Sequence, residues 1–166
     1  MSLEAIDLGD SLPSVILKNE KGEDVDVSTL VASKGAIFFS IPKVDTDVLP
    51  RRYIGGCTTQ ACGFRDQFPD FSGQNFDVYC LSADPPTEQL KWQLKIELPY
   101  PLISDVDRTL ITALGAKSPE GRTARGHFIF APGGKLVEKQ LPVTPKDSPV
   151  LALEFVKKFN EGKASL

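Results

Sequence analysis

The chain has 166 residues, a length that suits one domain with a sizeable core, and we expect residues 1–166 to form a single domain. Its 41% hydrophobic and 25% charged residues are typical of a globular protein. The net charge of −3 comes from scattered residues, which argues against nucleic acid or a membrane surface as a partner. No apolar run approaches the ~18 residues that a membrane span needs.

The first residues, MSLEAIDLGD, are acidic and lack the apolar stretch of a secretory signal, so we expect an intracellular location, in the cytoplasm or nucleus. In a reducing compartment, cysteines are more often free, catalytic or metal-bound than paired in structural disulfides. The chain has three cysteines, which lie at positions 57, 62 and 80.

Strands and helices alternate in the predicted chain order. Strands are expected at residues 15–17, 25–27, 35–42, 76–84 and 100–105, and in a hairpin over 126–141 that turns at PGG. Helices are expected at residues 57–71, 86–98, 107–116 and 148–159. This alternation, with an antiparallel hairpin near the end, predicts an α/β fold in which helices cover a central mixed sheet.

The segment YIGGCTTQACGFRD places Cys57 at the predicted start of a helix, directly after two glycines. Free backbone N–H groups and the helix dipole favour an anion at this position, so the Cys57 thiolate should be stabilised. Cys62 lies five residues further on. In an ideal helix the two Cα atoms would be about 8.6 Å apart, whereas a disulfide needs less than about 7 Å. The two thiols can therefore pair only if the first turns of the helix unwind.

Other interpretations of the cysteines are less well supported by their spacing. Both thiols could simply pack, which is a stronger alternative for Cys62 than for Cys57. A zinc site would need a different spacing and more than the one histidine, His127. The C-x-x-C motif of thioredoxin-type active sites is absent. Cys80 lies within an apolar strand and is expected to be a buried small hydrophobic residue.

The motif GGCTTQACGFRD, followed by LSAD, LPYPLISD, LGAK and HFIF, resembles the PrxQ (bacterioferritin comigratory protein) branch of the peroxiredoxins. The fungal nuclear thiol peroxidases are its most similar variety. The resemblance covers nearly the whole chain. It implies a thioredoxin-like fold and the reduction of hydroperoxides by cysteine alone, with no cofactor such as haem, flavin or metal. It also implies thioredoxin as the reductant, and we expect the protein to be a monomer.

The resemblance assigns roles to individual residues. Cys57 takes the place of the peroxidatic cysteine and Cys62 that of the resolving cysteine. Arg125 takes the place of the arginine that supports the thiolate and polarises the peroxide, with Arg122 as a rival for that role. Gly56 is expected to line the substrate site. These roles agree with the chemistry, because a thiolate that attacks a peroxide needs fixed hydrogen-bond donors for the developing negative charge.

The chain departs from the family pattern just before Cys57. The family places a proline, three residues, a threonine and two residues before this cysteine. Pro42 and Thr46 match the first part, and we expect Pro42 to contact substrate and Thr46 to be catalytic. Ten residues then follow Thr46, so residues 47–54 form an insertion, which we expect to be an exposed loop. Alternatively Pro50 takes the proline place by spacing, which would put Ile54 at the threonine position.

The insertion leaves two functions open at this point. The first is a thioredoxin-dependent peroxidase for hydrogen peroxide and small alkyl hydroperoxides. The second is a redox sensor or binding module with the same fold, in which the insertion has impaired turnover. Arg51 and Arg52 could also supply substitute positive charge to the site.

Overall fold

The computed structural model describes residues 5–44 and 56–164. Seven strands form one mixed sheet in the order β2-β1-β5-β4-β3-β6-β7. The strands are β1 (Ile16–Asn19), β2 (Asp24–Asp26), β3 (Gly35–Ser40), β4 (Phe76–Ser82), β5 (Leu102–Ser104), β6 (Gly126–Phe130) and β7 (Leu136–Gln140). The central pairings of β4 with β3 and β5 are parallel, whereas the remaining pairings between these strands are antiparallel.

Five α-helices and one short 3₁₀ helix complete the described chain. The α-helices are α1 (Gly56–Asp66), α2 (Phe68–Gly73), α3 (Pro86–Lys95), α4 (Thr109–Ala113) and α5 (Asp147–Ala164), and the 3₁₀ helix is Val27–Val31. Helices α1 and α2 connect β3 to β4, and α3 connects β4 to β5, as parallel strands require. Within the described ranges, no helix combines the length and the apolar character needed to cross a membrane.

The sheet separates two apolar layers, and β3 contributes to both because its side chains alternate in direction. Ile37 and Phe39 point into the layer that contains side chains from α1, α2 and α5. Ala36 and Phe38 point into the opposite layer, with the 3₁₀ helix and α4. All six residues of β3 are buried, which explains the continuous apolar run of the sequence. The predicted mixed sheet with helices on both faces is confirmed.

The predicted strands and the hairpin are also found, and Gly133 and Gly134 make its turn with φ angles of +98° and +102°. Two details of the helix predictions were wrong. The predicted helix 57–71 is interrupted at Gln67 and forms α1 and α2. In a continuous helix the Pro69 ring would clash with the carbonyl group of Arg65, so a new helix starts with Pro69 in its first turn.

The second error concerns the apolar face of α3. The near-helical spacing of Leu90, Leu94 and Ile96 predicts that these residues form the apolar face, but Leu94 is 69% exposed. Trp92 and Gln89 are the buried side chains of this helix instead. In a short helix with few apolar residues, burial of the largest ring decides which face packs against the core. The spacing of the apolar residues does not reveal this choice.

Candidate active site

Cys57 is the second residue of α1, and its side chain is only 1% exposed. It belongs to the apolar cluster beneath the helix, together with Ile41, Val44 and Cys80. Because Cys57 is in the first turn, the unpaired N–H groups of the helix lie around it. The structure thus places Cys57 at a helix N-terminus, as its position in the sequence predicted.

Arg125 reaches the Cys57 thiol from the start of β6. Its Nη2 lies 3.4 Å from Cys57 Sγ. The neighbouring backbone is fixed on two sides, since Ser40 Oγ donates to the Ala124 carbonyl at 2.8 Å and Val143 N–H donates to the Arg125 carbonyl at 3.1 Å. The antiparallel pairing of β3 with β6 brings Ser40 opposite Gly126, and so places Arg125 beside the end of β3. The guanidinium group can therefore stabilise negative charge on the sulfur.

Gly56 allows this close approach. A Cβ atom at this position would lie 2.9 Å from Arg125 Nη2 and 3.0 Å from Pro145 Cγ. Both distances are shorter than ordinary van der Waals contacts, so any side chain would displace the guanidinium group or the Pro145 ring. The glycine before Cys57 thus makes room for Arg125.

Cys62 lies in the same helix as Cys57 and is half-buried, and both cysteines are in the thiol form. It opens onto a cleft of about 450 Å³. The cleft is lined by Thr58, Thr59, Cys62, Gly63, Arg65, Asp66 and Lys146. The geometry therefore separates a buried thiol at the helix start from an accessible thiol one and a half turns later.

The third cysteine, Cys80, is fully buried in β4 as expected. Burial raises its pKa well above that of an ordinary thiol, and the nearby Cys57 and Asp84 contribute in the same direction. A neutral thiol is a poor nucleophile. In the residues that the structure describes, no group of three or more His, Cys, Asp or Glu side chains is placed to hold a metal ion.

A chain of buried polar side chains continues from Arg125, and the sequence analysis did not predict it. Arg125 Nη1 donates to Gln60 Oε1 at 2.9 Å, and Gln60 Nε2 lies 3.0 Å from Ser148 Oγ. Ser148 Oγ lies 2.7 Å from His127 Nδ1. Only Gln60 had a sequence signal, because it follows Cys57 by three residues and so lies near it on the helix. Ser148 is 88 residues from Gln60, and no local pattern connects them.

Among the remaining predicted site residues, Arg122 and Pro42 lie at the surface of the described structure. Arg122 is exposed, and its backbone N–H bonds Ser118 Oγ. Pro42 is exposed beyond the end of β3. Thr46 and the insertion 47–54 lie outside the described residues, as do the alternative motif positions within that insertion.

A family model described as the AhpC/TSA family matches residues 8–139 of the chain. The chain is also 36% identical over 142 residues to peroxiredoxin bcp1 of Schizosaccharomyces pombe, across 84% of this chain and 69% of that protein. The chain belongs to the peroxiredoxin family. The resemblance noted in the sequence is thereby confirmed, and the protein is a thiol-dependent peroxidase, an oxidoreductase.

Further relatives of this peroxiredoxin belong to the same branch. Peroxiredoxin Bcp of Bacillus subtilis is 29% identical over 163 residues, which cover 94% of this chain and 98% of the relative. Peroxidoxin BcpB of Mycobacterium tuberculosis has a crystal structure that aligns with a TM-score of 0.82 at 23% identity, over 92% of this chain and 97% of its own. Peroxiredoxin Q of Xanthomonas campestris aligns with a TM-score of 0.78 at 20% identity, over 93% and 97%. These structural likenesses identify the fold as that of the peroxiredoxins.

Proposed function

We propose that Cys57 is the peroxidatic nucleophile, that Cys62 resolves its oxidised form, and that Arg125 stabilises the thiolate and polarises the peroxide. The observation that carries this proposal is the 3.4 Å contact between Arg125 Nη2 and Cys57 Sγ at the N-terminus of α1. Two independent sources of positive potential, the helix end and the guanidinium group, converge on one sulfur atom.

The first chemical step follows from this arrangement. The Cys57 thiolate attacks one oxygen of a hydroperoxide, so that an S–O bond forms while the O–O bond breaks. The leaving oxygen takes a proton and departs as water or an alcohol, and Cys57 becomes a sulfenic acid. Arg125 is placed to donate to the oxygens as negative charge moves from the sulfur onto them. We assign hydrogen peroxide and small alkyl hydroperoxides as the substrates.

The second step joins the two cysteines of α1. The Cys62 thiol condenses with the Cys57 sulfenic acid, which forms a disulfide and releases water. The intact helix keeps the two Cα atoms about 8.6 Å apart, which exceeds the disulfide limit of about 7 Å. The start of α1 therefore unwinds during each cycle.

Thioredoxin is the proposed external reductant. A thioredoxin dithiol would reduce the disulfide by two exchange steps and so return both cysteines to thiols. The accessible cleft beside Cys62 supports attack at that sulfur, since Cys57 is buried. The positively charged Arg65 lies close enough to Cys62 to interact with it.

The proposal is tested by the rate of the peroxide step in three variants. Cys57→Ser should have no peroxidase activity. Arg125→Ala should slow thiol oxidation by about 100-fold, as expected when a donor to transition-state charge is lost. Arg122→Ala is the matched control and should change that rate by no more than about twofold, because it replaces an exposed arginine. Substantial turnover in Cys57→Ser, or a larger loss in Arg122→Ala, would refute the assignment.

Recycling is tested separately with the second cysteine. Cys62→Ser should react once with peroxide, remain as a sulfenic or sulfinic acid, and form no intramolecular disulfide in mass spectrometry. The wild-type protein should lose two thiols per chain with stoichiometric peroxide and recover both with thioredoxin. Failure of thioredoxin to restore them would favour the sensor hypothesis instead. An undiminished disulfide yield in Cys62→Ser would identify Cys80 as the resolving residue.

A further inference from the structure

Helix α5 contributes one hydroxyl group to the buried polar chain that begins at Arg125. Ser148 lies in the first turn of α5 and is fully buried, and its Oγ contacts both Gln60 and His127. Gln60 and His127 are also fully buried. A buried polar chain of this kind fixes the positions of its members strongly, because each lost bond leaves an unsatisfied group.

The direction of the hydrogen bonds follows from the chemistry of the first member. The Arg125 guanidinium group has only donors, so Gln60 must present its oxygen to Arg125 and its NH₂ group to Ser148. Ser148 Oγ therefore accepts from Gln60, and it lies 2.7 Å from His127 Nδ1. The direction of this second bond depends on the tautomer of the imidazole ring. A neutral ring with its proton on Nε2 would accept the Ser148 proton at Nδ1. His127 Nε2 has no hydrogen-bond partner among the described residues.

We propose that Ser148 is a positioning residue for the peroxidase reaction, which holds Arg125 against Cys57 through the Gln60 amide. In this proposal a neutral His127 ring accepts the Ser148 proton at Nδ1, so that the hydroxyl oxygen stays directed toward the Gln60 amide. This inference rests on the proposed roles of Cys57 and Arg125, and adds a residue that does not itself touch the peroxide.

The same contact connects α5 to the helix that must unwind. Gln60 lies between Cys57 and Cys62 in α1, so its bond to Ser148 holds the folded form of that segment. Removal of the Ser148 hydroxyl should therefore have opposite effects on the two chemical steps. The peroxide step should become slower because Arg125 loses its orientation, whereas disulfide formation should become faster because α1 unwinds more readily. A general loss of stability would not be expected to slow the peroxide step and accelerate disulfide formation at the same time.

The test measures both steps in Ser148→Ala by rapid mixing, with quenched mass spectrometry to separate sulfenic acid from disulfide. We expect oxidation by hydrogen peroxide to slow by about tenfold, as for a modestly misplaced catalytic group, and disulfide formation to accelerate. Thr144→Ala is the matched control. It removes another hydroxyl near the start of α5, one that donates to the exposed Asp147 carboxylate, and it should leave both rates unchanged.

A double-mutant cycle shows whether Ser148 acts through Gln60. The double variant Gln60→Ala with Ser148→Ala should oxidise no more slowly than Gln60→Ala alone, since the connection is already broken. Additive losses would overturn the proposal, and so would a wild-type oxidation rate in Ser148→Ala or a change of both steps in the same direction. If Ser148→Ala does not fold, Ser148→Gly removes the same hydroxyl and is judged by the same two rates.

The outcomes also separate this inference from the function on which it rests. An inactive Cys57→Ser together with a fully active Ser148→Ala would refute the positioning role alone. A Cys57→Ser variant that retains turnover would instead refute the proposed function.

Discussion

At the scale of single residues, the candidate site has no space for a methyl group at position 56. A Cβ atom would approach Arg125 Nη2 to 2.9 Å, and the flexible guanidinium group is the easiest atom group to displace. Gly56→Ala should therefore fold normally, but peroxide should oxidise its Cys57 thiol about tenfold more slowly, because the methyl group moves the Arg125 guanidinium group away from Cys57. Stopped-flow oxidation checks this. Gly73→Ala, where a Cβ would meet nothing within 4 Å, is the control. Equal rates in the two variants would show that Arg125 does not need its present position.

At the scale of elements, the proposed second step requires helix α1 to open. Its middle is held by the Tyr100 hydroxyl group, which donates to the Ala61 carbonyl at 2.7 Å. We expect peroxide treatment to increase amide hydrogen exchange in α1 by at least about tenfold, while α3 remains unchanged. Cys62→Ser should show no such increase, because its oxidised form has no disulfide. Full protection of α1 in the disulfide form, measured by exchange and mass spectrometry, would contradict the unwinding step.

The same helix shows how far sequence reasoning extends. The helical spacing of Cys57, Ala61, Phe64, Phe68 and Phe71 predicts one shared face. Phe68 is partly buried against the apolar layer, and the other four belong to its buried core. The break at Gln67 was missed, although Pro69 was a visible signal for it. The chain from Gln60 to Ser148 could not be predicted, since its members come together only when α1, α5 and β6 pack. Local patterns predict which elements form, but not which polar groups meet between them.

At the scale of the whole molecule, His127 couples stability to pH. Burial lowers the pKa of His127 from 6.5 to about 4. Its contribution to the free energy of unfolding is thus fully present above about pH 6.5 and is lost as pH falls toward about 4, because the unfolded chain binds the proton first. The loss is about 3 kcal/mol at most.

Urea unfolding of the wild type and His127→Gln measures this effect. Glutamine does not titrate and retains an acceptor for the Ser148 hydroxyl group. The difference in free energy of unfolding between the two proteins should shrink from about pH 7 to about pH 5. A constant difference over this range would show that His127 takes up its proton equally in the folded and unfolded chains.

The burial of Cys80 restricts which covalent connections the molecule can form. Three cysteines permit three pairings, and random oxidation would distribute the chains among them. Cys80 is held as a neutral thiol in a strand that is paired on both sides, so its reactive form is scarce while the sheet is intact. Under the proposed roles of Cys57 and Cys62, disulfide formation is thereby confined to a single helix. The fold thus selects one disulfide among the three possible pairings. On the proposed mechanism, a chain that has passed through many peroxide cycles returns to the same covalent state.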